Sequence, residues 1–91
     1  MIFRIVCSHC LHDVLLYQKD GKGHLHRCYF NRIMEPEALV QACRDKERSQ
    51  PADIGALCCP ACNSVIGVPM RHSDGRLAFR LRPGAFAKKS A

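Results

Sequence analysis

Two Cys-x-x-Cys pairs, Cys7-Ser8-His9-Cys10 and Cys59-Pro60-Ala61-Cys62, lie near opposite ends of the chain and constrain it more than any other feature. Two intervening residues let one tight turn aim both sulfurs of a pair at a single ion. Two such pairs complete a tetrahedral set. Closing the long segment between Cys10 and Cys59 costs chain entropy that grows only slowly with its length. Zinc bound by an all-cysteine structural site contributes roughly 10–16 kcal/mol near neutral pH, so the metal term outweighs closure. Cys7, Cys10, Cys59 and Cys62 are therefore the expected ligands, Zn2+ the expected ion, and the expected role is structural. Knuckle N–H groups, and Arg4, are expected to offset the charge of four thiolates.

Other uses of the same sulfurs stay open. Four cysteines also suit an iron–sulfur cluster. Cys59 and Cys62 have the spacing of a thiol–disulfide oxidoreductase, although no βαβ pattern surrounds them. A closed disulfide framework fits poorly with an odd total of seven cysteines. Cys58 has Ala61 three residues on and is expected to point away from the ion. His9 and His12 could replace a ligand, but histidines beside a knuckle are more often only polar neighbours. Cys28 and Cys43 read as small buried apolar residues.

The chain has 91 residues, enough for one small domain, 1–91. A domain of this size buries too little surface for a large stability margin, and a metal commonly supplements the core. No apolar run is long enough to span a membrane. The opening MIFRIVCSHC lacks the apolar core and cleavage site of a secretory signal. These features point to a reducing cytoplasmic setting, where thiols bind metal more often than they pair.

Aligning the cysteines exposes an internal repeat. Gly23, in the turn Asp20-Gly21-Lys22-Gly23, follows Cys10 at the distance at which Gly75, in Ser73-Asp74-Gly75, follows Cys62. Each knuckle leads into an apolar stretch, Val14–Tyr17 or Val65–Val68. Each glycine turn leads into a second β-like stretch, Leu25–Ile33 or Leu77–Leu81. Asp-Gly between such stretches is a hairpin signal. The expected fold is thus a small, mainly β, zinc-bound domain with two zinc-knuckle β-hairpins in a pseudo-repeat, at 7–33 and 59–82. One α-helix is inserted over 35–48. It starts at Glu35-Pro36-Glu37, carries Leu39, Val40 and Cys43 as its apolar stripe, and ends with Arg44, Lys46 and Arg48 before Pro51. Residues 83–91 read as a flexible basic tail.

The cysteine pairs, each heading a hairpin, resemble the zinc-ribbon class. With the long gap and the repeated hairpins, the pattern is more similar to the zinc-pinned two-sheet domains of the Yippee and cereblon thalidomide-binding type. That resemblance implies two hairpin sheets meeting at an angle with zinc near the join. It rests on the four cysteines and the hairpin pattern alone. The chain has no tryptophan, so the aromatic cage of the cereblon-type pocket is absent in its usual form. No small-molecule substrate is identified.

The formal net charge of +6 directs attention to anionic partners. Along the last predicted strand Leu77, Phe79 and Leu81 alternate with Arg76, Ala78, Arg80 and Arg82. Same-face neighbours lie about 7 Å apart, of the order of phosphate spacing along an extended single strand. Arg71, Lys22 and Arg27 extend the basic surface, and Tyr29 and Phe30 could stack on bases. Nucleic-acid binding through Arg71, Arg76, Arg80, Arg82, Lys22 and Arg27 is one expectation. A protein-interaction adaptor is another, and a merely solvated strand face is the plain alternative. An enzyme is not expected. Four cysteines would close the position that a catalytic zinc keeps open, and no nucleophile elbow, HExxH or phosphate-cradling loop is present.

Overall fold

The computed structural model describes residues 1–21, 23–46 and 50–90. Among these residues eight strands, numbered in chain order, form two antiparallel four-stranded sheets. The first sheet contains β1 (Ile2–Cys7), β2 (Asp13–Gln18), β4 (Ile33–Glu35) and β8 (Phe86–Ser90), in the order β4-β2-β1-β8. The second contains β3 (Arg27–Tyr29), β5 (Leu57–Cys58), β6 (Val65–Arg71) and β7 (Leu77–Leu81), in the order β3-β7-β6-β5. One helix, α1 (Glu37–Asp45), follows β4. No helix among the described residues is long and apolar enough to cross a membrane.

The repeat is real but is cut differently from the sequence expectation. Its unit is a strand, a knuckle and a strand: β1 and β2 flank Cys7-x-x-Cys10, and β5 and β6 flank Cys59-x-x-Cys62. The registers correspond. Val6 pairs with Asp13 and, after a bulge, Ile5 with Leu15. Cys58 pairs with Val65 and, after a bulge, Leu57 with Gly67. The extra residues at the bulges, Val14 and Ile66, are both buried in the core.

The second copy continues as foreseen, with β6 and β7 joined through Asp74-Gly75. The first does not, so the hairpin expected over 7–33 is corrected. β2 pairs with β1 and β4, whereas β3 crosses to the second sheet and pairs with β7. Burial explains the exchange. Leu25, Cys28 and Phe30 all enter the common core, and the Phe30 ring lies 4.7 Å from that of Phe79. The Tyr17 hydroxyl, on β2, accepts a hydrogen bond from the Tyr29 N–H at 3.0 Å and ties the departing strand to the first sheet.

The tail expected over 83–91 is also corrected, as far as Ser90; Ala91 lies outside the described residues. Instead of a loose tail, β8 pairs with β1 from Phe3↔Ser90 to Cys7↔Phe86. Phe86 packs on the core and the Lys88 ammonium sits 5.0 Å from the Phe3 ring centre. Lys88 therefore keeps its charge in water while its stem covers apolar surface.

The core lies between the sheets. Ile5, Leu15, Tyr17 and Ile33 come from one side, and Leu57, Ile66, Leu77, Phe79 and Leu81 from the other. The helix is shorter than expected, with Glu37 in its first turn and Arg44 in its last. Leu39, Val40 and Cys43 meet the core as the periodicity requires. Arg48, assigned to this helix from sequence, lies outside the described residues.

Candidate metal centre and basic face

The two knuckles bring Cys7, Cys10, Cys59 and Cys62 together, with all four sulfurs within 4.8 Å of one another. Each knuckle uses the same backbone device. The Leu11 N–H donates to the Cys7 carbonyl at 2.8 Å, and the Asn63 N–H to the Cys59 carbonyl at 2.9 Å. The return bonds match: Cys7 N–H to the His12 carbonyl and Cys59 N–H to the Ser64 carbonyl, each 2.9 Å. The chain reverses through a left-handed residue directly after the second cysteine, Leu11 or Asn63, each with φ of 65°.

The closest sulfurs belong to different knuckles: Cys7 and Cys62 at 3.6 Å, Cys10 and Cys59 at 3.5 Å. A disulfide would hold them at ~2.05 Å, and all seven cysteines are free. A tetrahedron of sulfurs ~2.3 Å from a central zinc has edges of about 3.8 Å. The sulfur set therefore fits a four-coordinate ion shared by both sheets. It does not single out Cys59 and Cys62 as a private pair.

Local donors prepare these sulfurs unequally. The Cys62 thiol is lowered to about 6, first by the Ser64 hydroxyl, which sits 3.1 Å away, and then by the Ser64 backbone. Cys59 is lowered by the backbone N–H groups of Cys62 and Ala61, the latter 3.4 Å from its sulfur. At Cys10 the His12 backbone pulls downward, but burial and the three neighbouring sulfurs override it and raise the thiol to about 12. The Cys62 thiol is thus far readier to ionise than the Cys10 thiol across from it.

Arg4 plays no part in this charge balance. Its guanidinium lies 3.7 Å from Asp13 and 3.8 Å from Glu35, because β1 turns it to the outer face of the first sheet. Cys58 stands apart from the four, half-buried on β5, and lines a cavity beside α1. His9 and His12 are likewise outside the cluster. Cys28 and Cys43 are buried, and burial pushes the Cys28 thiol up to about 12, which leaves it inert.

No protein-family model, curated protein or solved structure matches this chain.

The basic residues are gathered only in part. Strand registry puts Arg27 opposite Arg80 across β3 and β7, with Val68 on the far side of Arg80. The next row is Tyr29, Ala78 and Met70. This outer face is concave around His26, Arg27, Met70 and Arg80, where a cavity of about 340 Å³ opens. Arg82 is exposed just beyond β7. Arg76 stacks 3.9 Å above the Tyr29 ring and bonds Asp74 at 2.8 Å. The bond with the Arg76 N–H, more than any other contact, holds the Asp74 carboxyl down at about 2.

Arg71 does not join them. It pairs with Leu77, which places it on the side of Phe79 and Leu81, and its guanidinium donates to the Gly75 carbonyl at 2.8 Å. Phe30 is buried against Phe79 and offers no stacking surface. Lys22 lies outside the described residues. His26, on the loop before β3, also joins this face. Its proximity to Arg80 depends on the strand exchange, and no local pattern announces that.

Proposed function

We propose that this chain is a non-enzymatic module, held together by a structural zinc ion, that binds nucleic acid on the outer face of its second sheet. The four sulfurs supply the ligands, and their role is to join the two sheets. This is also the architecture implied by the resemblance to Yippee- and cereblon-type domains.

The observation that carries the nucleic-acid reading is the pairing of Arg27 with Arg80. Like charges directly opposite on antiparallel strands are destabilising. Neither arginine has a carboxylate partner among the described residues. A phosphodiester backbone lying across them would relieve that repulsion, and Tyr29 beside them could pack against sugar or base. The test is fluorescence anisotropy with single-stranded DNA and RNA over a salt series. The log affinity should fall linearly with log salt, and replacing Arg80 should reduce that slope by about one. Absence of binding at low salt removes this reading.

A protein-interaction adaptor is the second reading. It is favoured by the apolar cavity of about 360 Å³ lined by Phe30, Leu39, Ile54, Leu57, Cys58 and Phe79. A stable, nuclease-insensitive protein complex would support it.

A further inference from the structure

A separate cavity of about 260 Å³ opens where β2 ends and β3 leaves the first sheet. Its lining includes Tyr17, Lys19, His24, Arg27, Arg32 and Arg76. It is smaller than the 300–1,000 Å³ typical of drug-sized ligands, so it suits a compact polar group or the end of a longer molecule. Its charge is unbalanced. Asp20 neutralises Arg32 at 2.5 Å, and Asp74 neutralises Arg76 at 2.8 Å. Lys19 and Arg27 have no carboxylate partner among the described residues; the Lys19 ammonium reaches only the Gly21 carbonyl at 3.2 Å. Two cationic charges thus remain over at a recess whose walls focus their field.

The donors are also in excess. The Tyr17 hydroxyl is buried and accepts the Tyr29 N–H, but its own hydrogen meets no acceptor among the described residues. Burial, the largest influence, raises this phenol to about 12, so it keeps that hydrogen. The imidazoles of His24 and His26, with ring centres 6.0 Å apart, add two more ring systems able to donate. Guanidinium forks match tetrahedral oxyanions bidentately.

We propose that this cavity is a binding site for a phosphate monoester, whose two negative charges and three terminal oxygens match the two unpaired cations and the surplus donors. The site shares Arg27 with the outer face, and the test below separates the two readings. The same group could arrive as free phosphate, as a mononucleotide or as the terminal phosphate of a strand.

The test follows amide shifts of the full chain during titration with inorganic phosphate and with a nucleoside 5′-monophosphate. Single-stranded oligonucleotides with and without a 5′-phosphate are then compared at fixed salt. Saturable shifts centred on Tyr17, His24 and Arg32 are expected. Binding should weaken at least tenfold in Lys19→Gln and several-fold in Tyr17→Phe, and should be unchanged in Lys89→Gln, which lies on β8 and outside the cavity. If Tyr17→Phe fails to fold, Lys19→Gln alone decides. No saturation by 10 mM phosphate, or equal binding by Lys19→Gln, overturns the site. Oligonucleotides that bind equally with or without the terminal phosphate, when the small phosphates do not bind, leave the outer-face reading standing and remove this one. Small phosphates that bind when no oligonucleotide does have the opposite effect.

Discussion

Leu11 and Asn63 occupy the same left-handed backbone conformation, each with φ of 65°, in the position directly after the second cysteine of its knuckle. Asparagine adopts that conformation more readily than leucine; the steric cost to an ordinary residue is roughly 1–2 kcal/mol. Leu11 gains nothing in return, since its side chain is 67% exposed. Leu11→Asn should therefore stabilise the protein by about 1 kcal/mol, raising Tm by roughly 4–8 °C in a domain of this size. Thermal unfolding followed by circular dichroism checks this. An unchanged or lowered Tm would contradict the matching of the two knuckles.

Gly67 is needed for a different reason. It pairs with Leu81, and a Cβ there would lie 2.9 Å from the Arg80 carbonyl oxygen. That oxygen belongs to backbone and cannot swing aside. Gly67→Ala should cost about 1–3 kcal/mol, measured by chemical denaturation. A neutral result would mean that β6 and β7 are not packed at this register.

The segment leading into the final strand braces the first knuckle. The Ser8 hydroxyl, inside the first knuckle, donates to the Gly84 carbonyl at 2.6 Å, and the Ser8 N–H to the Ala85 carbonyl at 3.1 Å. Ending the chain at Pro83 should lower Tm and speed metal loss to a chelator. Phe86→Ala alone should cost about 1–2 kcal/mol, less than a fully buried ring because Phe86 is only partly buried. Chelator-release kinetics of the truncated chain read this directly, and a rate equal to that of the parent would contradict it.

Metal affinity should rise with pH, because each thiol must lose its proton to bind. Cys62, lowered to about 6, is already ionised at neutral pH, whereas Cys10 keeps its proton to about 12. Cys62 ionises more readily folded than unfolded. Its contribution is therefore full above its ordinary value of 9.0 and lost as pH falls through about 6. The slope of log affinity against pH should steepen by about one below that point. Ser64→Ala removes the hydroxyl beside Cys62 and should move the break upward. Competition with a chromophoric chelator across pH 5–8 measures it, and a break unmoved by the substitution would contradict the role given to Ser64.

What could be read from the sequence was local. The Cys-x-x-Cys spacing, the Asp74-Gly75 turn and the Leu39, Val40 and Cys43 stripe each act over a few residues, and each marks its element. The choice of partner was not legible. Arg27–Tyr29 has a strand-like pattern in either sheet, and only the fit of Cys28 and Phe30 against Phe79 sends it to the second. Phe86–Ser90 reads as a tail because its lysines dominate, yet one aromatic residue and a free edge on β1 suffice to pair it. Arg71 was misplaced for the same reason. Alternation assigns faces within one strand, but the face shared with a neighbour follows from register, here Arg71 with Leu77.

The most direct test is elemental analysis together with X-ray absorption at the metal edge, on protein purified without chelator. The expected result is one zinc per chain, surrounded by four sulfurs at ~2.3 Å, with that shell lost in Cys59→Ser and kept in Cys58→Ser. Iron in place of zinc, a nitrogen or oxygen in the shell, or protein that folds with no metal at all would contradict it.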